Sequence, residues 1–228
     1  LFTSQLKMAH PQVHFEVLQA YGDKPDFGNL SVFVHSDGPT TDQEVFSFLK
    51  DAADGAPVIH GNRVSIAYLG IQTDVTFVPS NDYRFALCYH AFNGMGGLLG
   101  RVANSLDLTL RDNGMVYKLQ DGDQAVAEIG VAVTWQQALM LLGYSYGRWC
   151  EGFASLDEVF AFVASSEFFD PAMFMDVEAV VEGERPTVVQ LFARYLEVES
   201  PKPHHVPSKK LELLFDRIPG FCDSFANV

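Results

Sequence analysis

The chain has 228 residues, 48% of them hydrophobic and 13% aromatic, enough apolar side chain to build a sizeable core and to exclude an intrinsically disordered chain. Its 15 basic and 29 acidic residues leave a formal charge of −14, which argues against nucleic acid as a partner, because that affinity comes mostly from Lys and Arg on phosphates. No apolar run reaches the ~18 residues of a membrane span; residues 85–102 come nearest, interrupted by His90, Asn93 and Arg101.

The opening residues lack a basic stretch followed by an apolar one, so no signal peptide is expected. Residues 13–18 alternate and predict a strand that feeds a turn at Gly22. Residues 30–34 predict a second strand. In extended chain, positions i and i+2 point to one side, so Asn29 and Ser31 project together. A helix is expected over residues 42–53, with Val45, Phe48, Leu49 and Ala52 on one face. Gly61-Asn62 joins residues 57–60 and 63–68 as a hairpin. Residues 71–78 predict a further strand carrying Asp74, which Pro79 ends.

From Asp82 the pattern predicts a helix of about six turns. Gly94, Gly96 and Gly97 fall inside it, where each glycine costs up to ~1 kcal/mol against Ala, so they mark a kink or a close approach of another backbone. Asp112-Asn-Gly114 is a turn between strands at residues 106–110 and 115–119, and residues 125–133 are a further β segment. Thr134 caps a helix over residues 135–142, with Gly143 just past its end. Ser155 and Glu158 read as a capping box opening a helix over residues 156–164. Residues 177–185 read as irregular and acidic. Pro186 is expected at the first turn of the next helix. Residues 200–207 read as a Pro-rich linker with a solvated His204-His205 pair, and Ser208 as the cap of a final amphipathic helix. Between residues 151 and 199 eleven acidic residues face only Arg185 and Arg194, a solvated acidic face or a docking surface for a basic protein. Cys88, Cys150 and Cys222 are odd in number and widely spaced, which predicts buried free thiols and a reducing compartment.

The order Gly22, polar turn, Gly28, a same-side pair at Asn29 and Ser31, a strand bearing Asp74, a long helix, then the hairpin around Arg111-Asp-Asn-Gly114 resembles the palm of DNA polymerase β-like (family X) nucleotidyltransferases. The match is closest to small single-chain members of phages and large DNA viruses. The resemblance implies an α/β (α+β) fold: a palm-like mixed sheet with flanking helices, a thumb-like hairpin and a helical C-terminal region. It divides the chain into residues 1–105, 106–199 and 200–228. It also implies that Gly22, Gly28, Tyr89, Phe92 and Asn93 lie at a nucleotide pocket, although the helical spacing of Tyr89 and Phe92 reads first as core aromatics.

The family carries Asp-x-Asp where this chain has Asn29 and Ser31. Mg²⁺ wants anionic oxygens, and Asp74 alone remains as a catalytic and metal-ligating carboxylate. Loss of a metal that stabilises the transferring phosphoryl group by several kcal/mol removes orders of magnitude in rate. The expectation is therefore a catalytically degenerate nucleotidyltransferase without a cofactor. It would act as a structural or protein-interaction component, in the cytoplasm or within a virion or other large assembly. A protein partner is expected on the acidic C-terminal half or the last helix, with no nucleic acid and no membrane. The alternative is an active Mg²⁺-dependent nucleotidyltransferase, with Asp23 or Asp26 working beside Asp74, that moves a nucleotide from an NTP or dNTP to an acceptor. A third reading is a nucleotide-binding regulator.

Overall fold

A computed structural model describes residues 1–121, 124–176, 186–204, 210–219 and 221. The chain is of the expected mixed α/β class and divides into two compact units. The first comprises residues 1–19 and 24–87, the second residues 20–23 and 88–228.

The first unit is built on a five-stranded mixed sheet. Its strands are β1 (Phe15–Val17), β2 (Leu30–Ser36), β3 (Val58–His60), β4 (Arg63–Tyr68) and β5 (Ile71–Pro79), in the order β1-β2-β5-β4-β3. Only the β2–β5 pair is parallel. A parallel neighbour needs a crossover, and it is supplied by α2 (Pro39–Ala52) and the β3–β4 hairpin. α2 and α1 (Phe2–Ala9) cover one face. There Phe2, Leu6, Val45 and Leu49 pack with Val32, Val34, Val64, Ile66 and Val75. The sequence pattern did not suggest α1, which is short and has no side-chain cap. The opposite face packs Phe33 and Val78 against Tyr83 and Ala86.

α3 (Tyr83–Ser105) is not one continuous helix. Ala91 is extended, and Phe92, Asn93 and Gly94 follow with φ of 51°, 65° and 77°. Both predicted roles of the glycines are realised: Gly94 takes the left-handed turn, and a Cβ on Gly96 would lie 2.3 Å from the Tyr89 carbonyl oxygen. Phe92 holds the break by burying its ring against Trp149 and Phe153 at 5.1 and 4.7 Å.

The second unit continues with an antiparallel meander of β6 (Leu108–Arg111), β7 (Gly114–Asp121) and β8 (Gln124–Ala132). Helices α4 (Trp135–Leu141), α5 (Tyr146–Cys150), α6 (Leu156–Ala164), α7 (Val188–Glu199) and α8 (Lys210–Arg217) follow, with a 3-10 turn at Pro171–Phe174. Thr134 caps α4 with a full capping box. Ser155 caps α6, but Glu158 reaches back to the Ala154 amide rather than completing the box on Ser155. Thr187, not Pro186, sets the start of α7: its hydroxyl accepts from the Gln190 amide, so Pro186 lies outside the helix.

His204 is exposed, as expected, and is also tied down: its amide donates to Phe169 O and its Nδ1 lies 2.6 Å from Ser166 O. α8 buries Leu214 within the unit and is pinned by the Lys210–Asp107 and Arg217–Glu167 ion pairs. Cys88 is half-buried and Cys150 exposed, so neither fits the expected fully buried thiol. The expectations for residues 177–185, His205, Ser208 and Cys222 lie outside the described residues. Among the described residues, no helix is long and apolar enough to cross a membrane.

Candidate functional site

Asp74 sits on β5, with β2 on one side and β4 on the other. Register places it opposite Ser31 on the parallel side and opposite Ser65 on the antiparallel side. Its neighbours Thr73 and Val75 are fully buried, so the strand cannot slip without exposing them. Asp74 itself is 7% exposed. Burying an ionised carboxylate is costly unless donors surround it, and here neutral donors do so.

Asn29 lies in the bend after Gly28, immediately before β2. Its amide Nδ2 donates to Asp74 Oδ2 at 2.5 Å and to Ser31 Oγ at 3.3 Å. Gln72 donates from Nε2 to Asp74 Oδ1 at 3.1 Å. Burial pushes the Asp74 carboxyl up. Hydrogen bonds from Ser65, Gln72 and Asn29, together with the Arg63 guanidinium charge, outweigh that and hold it below the usual carboxylate range.

The predicted trio Asn29, Ser31 and Asp74 is therefore brought together. Ser65, Gln72 and Arg63 complete the cluster and were not anticipated. Gln72 had a signal, since it stands two residues before Asp74 on the same strand face. Ser65 needed the β4 register.

The donor set does not suit a divalent cation. Mg²⁺ prefers anionic oxygens; Asp74 is the one carboxylate of this cluster, and Asn29 turns its NH₂ rather than its oxygen toward that carboxylate and the Ser31 hydroxyl. Among the described residues, no three His, Cys, Asp or Glu side chains are grouped to hold a metal.

The remaining predicted residues have other surroundings. Asp26 is exposed in the first unit. Asp23 belongs to the second unit, where its amide donates to Ala154 O at 2.8 Å. Gly22 donates to Phe153 O at 2.9 Å, and a Cβ there would stand 3.1 Å from Ala154 O, so its backbone is packed against that segment. Tyr89 stacks edge-on with His90, and burial, aided by the Asp112 charge, raises its phenol above the ordinary value. Phe92 is 1% exposed in its aromatic cluster, and Asn93 is exposed.

Fold and cluster together define a mixed α/β protein with, among the described residues, a single buried carboxylate, which lies at the centre of a mixed sheet. No protein-family profile and no curated protein matches the chain. Among solved structures, it is similar to Leishmania infantum polymerase beta in a ternary P/T complex. That likeness has 13% identity and a TM-score of 0.48, over 63% of this chain and 70% of that one. The same polymerase in a ternary gap complex gives 12% identity and a TM-score of 0.47, over 63% and 65%.

Proposed function

We propose that this protein is a catalytically degenerate nucleotidyltransferase-fold protein that serves as a structural or interaction component of a larger assembly, such as a virion. The reading is carried by one observation: the Asn29 side-chain amide donates to Asp74 Oδ2, so a neutral NH₂ occupies the carboxylate face that an attacking or transferring oxygen's metal would need. Gln72 takes the other oxygen. The cluster is self-satisfied and holds its charge without a cofactor. The acidic segment between residues 151 and 199 supplies the surface for a basic protein partner.

Calorimetric titration with Mg²⁺, with and without a nucleoside triphosphate, tests this. The expected result is no heat of site binding up to millimolar metal and no turnover of labelled nucleotide. Two tight Mg²⁺ sites with nucleotide transfer would instead establish the active-enzyme alternative.

A further inference from the structure

The two edges of the five-stranded sheet differ. At one edge, β1 has only three residues, and Glu16 there meets His14 and Arg84. Charge and shortness of this kind blunt an edge against further pairing. At the other edge, β3 pairs only with β4, and Val58, Ile59 and His60 are all exposed. The β3–β4 turn has two residues, so the flanking His60–Arg63 pair exchanges its hydrogen bonds inward. One residue back, the N–H and C=O of Ile59 point away from β4, toward an open edge.

Beside that edge is a slot of about 510 Å³. Phe46, Ile59, Val64 and Phe77 line its apolar part, and Ser36 and Asp42 stand on its wall. Ile59 and Val64 are cross-strand partners, so they share the sheet face that α2 covers only in part. Ser36 donates to Asp42 Oδ2 at 3.0 Å, while Asp42 Oδ1 is buried without a hydrogen-bond partner. The first unit as a whole has nine acidic residues and five basic ones, and the whole chain is at −14.

We propose that β3 is a docking edge for a basic, apolar-alternating peptide segment of a protein partner. The segment adds as a sixth strand, its backbone pairing with Ile59. One apolar side chain on the Ile59 face enters the slot at its β3 end, and Lys or Arg residues of the peptide answer the net negative charge of the unit. Strand addition draws affinity from the backbone and specificity from alternate side chains. Excess negative charge selects a cationic segment over a second copy of this chain. The inference rests on the interaction-component reading and gives it a second surface, apart from the acidic C-terminal half.

Selection of displayed random peptides of about ten residues, a typical upper strand length, on the full-length protein provides the test. The winning peptide is synthesised, and amide exchange is followed in its complex. Enriched sequences should alternate apolar residues with Lys or Arg, and exchange at Ile59 should slow by about tenfold or more. Ile59→Lys should weaken the peptide by about tenfold, roughly 1.4 kcal/mol, and raising the salt concentration should weaken it further. Ile59 is exposed, so its variant keeps the fold, and an unchanged thermal melt verifies that. Enrichment of acidic or neutral peptides, protection elsewhere than β3, or no enrichment at all overturns the proposal. Magnesium titration does not involve β3, so failure of the degenerate-site reading would be seen separately from failure here.

Discussion

Asn29 and Asp74 face each other across the only parallel strand junction of the sheet, joined by a 2.5 Å hydrogen bond from an amide to a carboxylate. An aspartate at position 29 could not make that bond. Asn29→Asp together with Ser31→Asp would place three carboxylates in one cluster and should cost about 2 kcal/mol in chelator, from like-charge repulsion and the lost donor. Divalent cations should restore much of that loss. Urea unfolding in EDTA and in millimolar Mg²⁺ measures both effects, and a double variant indifferent to Mg²⁺ would show that the cluster lacks palm geometry.

Asp74 also gives the fold an acid dependence. Its folded carboxyl is held below the usual value, so its contribution to stability is fully present above the unfolded value of about 3.9. That contribution is lost as pH falls from there through the folded value. Asp74→Asn should be less stable than the parent at pH 6, and the gap should narrow steadily below about pH 4. Urea midpoints taken across that range decide it; a constant gap would mean the carboxylate's charge contributes nothing.

The glycines of α3 separate two effects of the same residue. Gly96→Ala drives a methyl into the Tyr89 carbonyl and ring, and should cost about 2 kcal/mol or more. Gly97→Ala meets open space in a helical stretch and should stabilise by about 0.5–1 kcal/mol. Chemical denaturation of the two single variants gives opposite signs if the break is as described.

At the start of α4, the Thr134 hydroxyl and the Gln137 side chain satisfy each other's backbone amides. Thr134→Ala should remove about 1 kcal/mol. Thr134→Ser should recover most of it. Urea unfolding followed by the fluorescence of Trp135 and Trp149 together measures this.

Short-range chemistry made much of this structure legible beforehand. Gly61-Asn62 announced the β3–β4 hairpin, and the apolar stripe of residues 45–52 announced α2. The spacing of two between Asn29 and Ser31 placed their side chains together, and the hydrogen bond between them agrees. What escaped was set by distant parts of the chain. The glycines signalled a kink in α3, but not its anchor: Phe92 is held by Trp149 and Phe153, some sixty residues downstream. Ser65 joins Asp74 only through pairing register. Pro186 looked like a helix opener, but Thr187 offered a better acceptor to Gln190 and won the cap.

Residues 20–23 belong to the second unit, although the chain on both sides of them belongs to the first. Gly22 and Asp23 find their backbone partners at Phe153 and Ala154. On the ribosome these residues must wait for roughly 130 further residues to emerge before they can settle. A fragment cut after residue 87 would carry that tetrapeptide with nothing to hold it.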